Sequence, residues 1–148
     1  MAGGELVLAI DCGTQSVRAL IVDLAGEILA KARHPLDRYA SPHEGWLEHD
    51  AEAFWQAVAS VCRELGAAHP ALVARVAGLA LSTQRGSLTL VDSRGAPLRP
   101  FIIWLDQRRA ANVPRFRPWW RAAFRAARVA DTIHHFCREA ELNWIAEH

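Results

Sequence analysis

The feature that most constrains this chain is a five-residue apolar run, Leu6-Val7-Leu8-Ala9-Ile10, that leads directly into Asp11-Cys12-Gly13-Thr14-Gln15-Ser16-Val17-Arg18. A bounded apolar run of that length reads as a strand, and the glycine just past its end forces a tight bend. The residue types at the bend also carry chemistry. Asp11 can hold a hydrated Mg²⁺, because this ion keeps several waters and is usually bound through one or two carboxylates plus substrate phosphates. Gly13 lets backbone come close to a phosphate, and the N–H groups and hydroxyls of Thr14 and Ser16 can donate to its oxygens. Arg18 adds a charge-assisted fork.

The rest of the pattern builds outward from that bend. Leu6–Ile10, Val17–Asp23 and Glu27–Arg33 read as three strands with short turns, hence an antiparallel meander. From Asp50 to Leu65 the period changes: Ala51, Phe54, Trp55, Val58, Val61, Cys62 and Leu65 recur at three- and four-residue steps, the mark of one buried helical stripe. Asp50 is a suitable N-cap, and Gly66 and Pro70 are expected to end the helix. Val76–Leu81 returns to strand character. A hairpin of Ser87–Asp92 and Leu98–Trp104 is expected around the turn Ser93-Arg94-Gly95-Ala96-Pro97. Beyond Asp106 the chain reads as helical, with Asp131 capping a helix whose stripe is Ile133, Phe136, Cys137, Ala140 and Trp144.

Composition closes off several classes. At 148 residues the chain suits one domain and is too short for a two-domain enzyme, and its net charge of +1 gives no global drive toward nucleic acid or acidic membrane. Cys12, Cys62 and Cys137 have neither zinc nor redox spacing, which fits a reduced, cytoplasmic setting; no segment has signal-peptide or membrane-spanning character, so no membrane partner is expected. The seven histidines lack metal-ligand spacing, and Lys31 is the only lysine, so a Gly-x-x-x-x-Gly-Lys phosphate loop is excluded. Arg115, Arg117, Arg121, Arg125 and Arg128 alternate with Phe116, Trp119, Trp120 and Phe124. We read them as a solvated helical stripe in preference to a nucleic-acid surface.

Three further segments narrow the reading. The bend Asp11-x-Gly13-Thr14-x-x-x-Arg18 resembles the first phosphate motif of the actin-like ATPase and sugar kinase superfamily, and more narrowly the opening of an FGGY-type carbohydrate kinase. Pro42-His43-Glu44-Gly45-Trp46-Leu47-Glu48-His49-Asp50 is similar to the element that precedes the first long helix of that family, where loop packing is its expected role. Leu81-Ser82-Thr83-Gln84-Arg85 is similar to a strand-end motif whose arginine contacts polyol or sugar hydroxyls. Glycerol-type members carry glutamate at the next position, whereas this chain has Gly86. Ile102-Ile103-Trp104-Leu105-Asp106-Gln107-Arg108 is similar to the element found where a strand enters the next helix in xylulokinase-like members; Trp104 can form a platform for the sugar and Asp106 an acceptor, or the two can serve as core and cap.

The resemblance implies an α/β, ribonuclease-H-like (actin-like ATPase) domain, with a mixed sheet, an antiparallel three-strand meander and flanking helices, in truncated form. Residues 1–112 would be a partial N-terminal sugar-kinase domain and residues 113–148 its helical extension, with the C-terminal nucleotide-binding domain absent. It implies ATP and Mg²⁺ as cofactors, with Asp11, Gly13, Thr14 and Arg18 toward Mg²⁺ and phosphate, and Arg85, Trp104 and Asp106 toward a small sugar or polyol. Asp11 would reach the metal through water. The catalytic base is expected beyond His148, so no catalytic residue is assigned, and the isolated chain is expected to be inactive without a C-terminal half. A homodimer of the full-length protein is a further expectation. A ribonuclease-H-like nuclease or resolvase and a non-catalytic sugar-binding remnant remain as alternatives.

Overall fold

The computed structural model describes residues 5–113 and 115–148. Its centre is a four-stranded mixed sheet of β1 (Leu6–Cys12), β2 (Ser16–Asp23), β3 (Ile28–Pro35) and β5 (Val76–Thr83), in the order β3-β2-β1-β5. β1 and β2 pair antiparallel, as do β2 and β3, whereas β5 lies parallel to β1 with Ile10 opposite Leu81 and Asp11 opposite Ser82. The meander expected from the short turns is therefore present. Alternation does the packing: Ile10 and Cys12, Val17, Ala19 and Ile21, and Ala30 and Ala32 all point to one face and are buried.

Helix α1 (Ala51–Ala68) covers that face with Ala57, Val61 and Leu65. Asp50 caps it in extended conformation, its carboxylate accepting from the N–H groups of Glu52 and Ala53. The helix runs three residues past its expected end, because Gly66 is tolerated inside a helix whereas Pro70 forces His69 out of helical geometry. Pro70 then opens a single turn, α2 (Pro70–Val73). Val61 and Leu65 are essentially inaccessible. Leu65→Ala is thus expected to cost about 2–5 kcal/mol, read as a lower urea midpoint with an unchanged slope.

The segment after β5 departs from expectation. In place of a regular hairpin there are isolated bridges, Leu88 to Ile102 and Val91 to Pro97, around a turn held by the Asp92 carboxylate. Pro97 and Pro100 have no N–H to give to a ladder, so only β6 (Phe101–Ile102) is regular, and it pairs with β4 (Glu48–His49) in a second small sheet.

Residues 103–113 are irregular and not helical. Helices resume with α3 (Pro118–Ala126), α4 (Ala130–Glu139) and α5 (Glu141–Ile145). Asp131 lies in the first turn of α4 and does not cap it; Ala140 adopts an extended conformation that breaks the expected stripe, so Trp144 sits on α5. The C-terminal helices nonetheless return to the small sheet. Ala110 N–H donates to the Arg138 carbonyl, and Trp144 packs on Trp46. The Glu147 carboxylate accepts from the N–H groups of Ala111 and Asn112, which hold its carboxyl below the ordinary range. Among the described residues, no helix is long and apolar enough to cross a membrane.

Candidate functional site

The β1–β2 bend and the Trp104 turn meet at one place. Gly13 N–H closes the bend on the Ser16 carbonyl at 3.1 Å, and a Cβ at Gly13 would meet that same oxygen at 3.3 Å, so the turn is tight enough to favour glycine. Cross-strand register sets Asp11 opposite Arg18, and the guanidinium reaches the carboxylate at 3.2 Å with both groups substantially exposed. Such a pair contributes at most about 1 kcal/mol to stability, so its charges are available to a ligand at little structural cost.

Thr14 is the hub. Its hydroxyl donates to Gln84 Oε1 at 2.6 Å and accepts from Trp104 Nε1 at 3.0 Å. Gln84 is itself anchored, because its N–H continues the parallel ladder to the Cys12 carbonyl. Trp104 is held from the other side by its N–H donating to Ser87 Oγ at 2.9 Å, yet its side chain is left half open to solvent. Gly13, Thr14, Arg18, Tyr39, Trp104 and Leu105 surround a depression of about 310 Å³. Arg85 lies between Gln84, which bonds Thr14, and Gly86, which turns beside Trp104 with φ +66°. It is exposed and makes no hydrogen bond or ion pair among the described residues.

The structure therefore brings together Asp11, Gly13, Thr14, Arg18 and Trp104, with Arg85 on the adjoining segment. One expectation is revised. Ser16 is buried yet belongs to the lining of the depression. Asp106 is not exposed to the depression. The Asp106 side chain is fully inaccessible; one oxygen accepts from Leu47 N–H at 2.6 Å, and both accept from Arg108. A carboxylate with its lone pairs so occupied has none turned toward a sugar.

Asp106 belongs instead to a buried charge knot. Arg108 reaches Asp106 at 2.7 Å and Glu48 at 2.9 Å, while Arg99 reaches Glu48 at 3.3 Å. The Arg108 guanidinium lies 4.0 Å from the Trp46 ring and 4.7 Å from that of Trp144. Burial pulls its proton affinity down, but the hydrogen bonds it donates to Asp106 and Glu48 outweigh that and raise its pKa above the ordinary arginine value. The knot fastens Trp46, Leu47 and Glu48 to the Trp104 turn, which is the packing role expected of that loop.

Gln84 and Ser87 are site residues that sequence reasoning passed over. Gln84 belongs to the strand-end motif, but a contact to Thr14 across the sheet has no local signature. Cys12 sits beside Asp11; burial, then the Asp11 charge, then Cys62 push its thiol upward. Among the described residues, no group of three or more His, Cys, Asp or Glu comes together to hold a metal. The donor set at the bend fits one mode only: a hydrated divalent ion on the single exposed carboxylate of Asp11.

This geometry can be set beside known proteins. The glycerol kinase of Rhodospirillum centenum is 32% identical over 143 residues, which is 96% of this chain and 28% of that protein. The glycerol kinase of Gloeobacter violaceus is 33% identical over 144 residues, again 96% of this chain and 28% of that one. The chain thus spans a little over a quarter of the length of these relatives. Among solved structures, the xylulose kinase of Brucella ovis superposes with a TM-score of 0.66 at 36% identity, covering 70% of this chain and 22% of that chain. The xylulose kinase of Rhodospirillum rubrum gives 0.65 at 34% identity, covering 70% and 21%. The mixed sheet with flanking helices is the N-terminal part of their actin-like ATPase fold. The sequence model for the N-terminal domain of one kinase family matches residues 6–148, and the chain belongs to that family, the FGGY carbohydrate kinases.

Proposed function

We propose that this chain supplies the phosphate-facing lip and part of the sugar-facing wall of an ATP-dependent carbohydrate kinase, an enzyme that transfers the γ-phosphoryl group to an alcohol. The observation that carries the reading is the convergence of Thr14, Arg18 and Trp104 on one depression, with Asp11 paired to Arg18 at its edge and the unpaired guanidinium of Arg85 on the adjoining segment. Phosphoryl transfer needs mainly positioning and charge neutralisation, and these residue types provide both.

Each side chain then has a task. The Thr14 and Gln15 amides make no hydrogen bond within the described residues and are free to donate to phosphate oxygens. Arg18 offers a second positive group at the same lip. Bound Mg²⁺ would neutralise charge on the phosphates, and Asp11 would hold it through water. Trp104, fixed by Thr14 and Ser87, presents an apolar surface to the C–H face of a sugar. Arg85 donates to adjacent hydroxyls through its rigid fork. Asp106 is assigned to the framework, and no residue is assigned as the base that accepts the hydroxyl proton. Residues 113–148 are assigned to the same domain as the sheet.

A hybrid enzyme tests the reading. These 148 residues would replace the matching segment of the Brucella ovis xylulose kinase, and phosphorylation of a panel of pentoses and polyols would be followed. A working hybrid is expected. In it, Arg85→Ala should raise the KM for the sugar about tenfold or more while changing the KM for ATP little, since a donor pair lost from one substrate costs about 1.5–3 kcal/mol. A folded hybrid with no activity on any alcohol, or an Arg85→Ala effect confined to ATP, would refute the assignment.

A further inference from the structure

One surface is unrelated to the depression at Thr14. Between Asn112 and Ala130 the sequence has five arginines, Arg115, Arg117, Arg121, Arg125 and Arg128, and neither aspartate nor glutamate. With a net charge of only +1 overall, the rest of the chain is net acidic, so the positive charge is concentrated here. None of the five makes an ion pair among the described residues, in contrast to Arg18, Arg99, Arg108 and Arg109.

Helix α3 within this stretch buries no residue and packs chiefly against α4. At about 100° per residue, Trp119, Trp120 and Ala123 share one face, Arg121 and Arg125 fall on the other, and Phe124 lies at the boundary. The rings bear this out. Trp119 stacks on Trp120 at 4.1 Å and Trp120 on Phe124 at 5.5 Å, with both tryptophans exposed. Phe124 marks the edge between the two faces: it packs on Phe116 at 5.2 Å and, with Arg121, Arg125, Arg115 and His134, lines a cavity of about 570 Å³ that has Asp131 as the one acidic residue of its lining.

Against the expectation of no membrane partner, which rested on the global charge and the lack of a spanning segment, we propose that α3 and the preceding Arg115-Phe116-Arg117 segment form an interfacial helix that docks this protein on an anionic lipid bilayer. A helix with aromatic residues on one face and arginines on the other lies in the plane of the headgroups, its apolar side buried at the acyl boundary and its cations on the lipid phosphates. The aromatic ladder favours this occupant over a nucleic acid: its rings stack on one another, whereas nucleic-acid platforms leave ring faces open for bases. The helix lies on the membrane and does not span it, consistent with its nine residues.

Co-sedimentation of the chain with vesicles tests this. Binding is expected to phosphatidylcholine vesicles containing about 30% phosphatidylserine, to be lost with phosphatidylcholine alone, and to fall steeply between about 0.1 and 0.5 M salt. Arg121→Gln and Arg125→Gln should each weaken it about fivefold. The pair Trp119→Ala and Trp120→Ala should remove it. Because α3 buries nothing, all four changes should leave the thermal midpoint and circular dichroism spectrum unaltered. No binding to anionic vesicles, equal binding to neutral ones, unchanged binding of the folded variants, or tighter retention of a single-stranded oligonucleotide than of vesicles would each overturn the proposal.

Discussion

Replacing Arg108 by methionine is expected to lower the unfolding free energy by about 3–5 kcal/mol, because it leaves two carboxylates without their cation in a site that water does not reach. The Asp106 side chain is wholly inaccessible and that of Glu48 is 12% exposed, so neither can recover its hydration once Arg108 is gone. The indole faces of Trp46 and Trp144 lose their guanidinium at the same time. For a chain of this size the thermal midpoint should fall by more than about 6 °C. Asp106→Asn provides the companion measurement. A framework carboxylate predicts a similar loss of stability, whereas a sugar contact predicts a folded protein of near-normal midpoint with impaired sugar affinity. Unfolding curves for both variants, with Arg99→Met as the milder case, therefore decide the role of Asp106 directly.

The second large effect is catalytic. In the hybrid kinase, Asp11→Asn is expected to reduce kcat by about 100-fold or more, the usual consequence of removing one preorganised charge-handling group from a phosphoryl-transfer site. Its stability should change by no more than about 1 kcal/mol, because the Asp11–Arg18 pair is exposed and cross-strand pairs of this kind contribute little. Loss of activity without loss of stability separates a ligand-facing carboxylate from a structural one. Arg108→Met and Asp11→Asn are thus opposites, the first felt in folding and the second in turnover.

The legible parts of this fold are those whose periodicity is local. Alternation along β1, β2 and β3 and the three-and-four spacing of Phe54, Val58, Val61 and Leu65 each report which face is buried, and the sheet and α1 follow from them. Element ends are less legible, since a glycine such as Gly66 can either stop a helix or be carried through it. The Ser87–Trp104 segment has the composition of a hairpin, but Pro97 and Pro100 withhold two donors and leave bridges where strands were expected.

The site divides in the same way. Asp11, Gly13, Thr14 and Arg18 are contiguous, and one bend places them. Trp104 joins them only through a bond to Thr14 across the fold, and Gln84 only through the parallel register of β1 and β5. The inward turn of Asp106 is not legible, because its bonds with Arg108 and the Leu47 N–H are made only in the fold. A carboxylate two residues before an arginine looks the same in sequence whether it faces solvent or core.

The account rests on the bend at Gly13 and Thr14 gripping a magnesium-bound triphosphate, and ¹⁵N-resolved titration of the 148-residue chain with Mg²⁺-ATP tests that most directly. Saturable shifts are expected for the Thr14 and Gln15 amides and the Trp104 indole N–H by about 10 mM nucleotide. They should disappear in Asp11→Asn and leave the Trp144 indole unmoved. Unchanged Thr14, Gln15 and Trp104 resonances at that concentration, or identical shifts in Asp11→Asn, would contradict it.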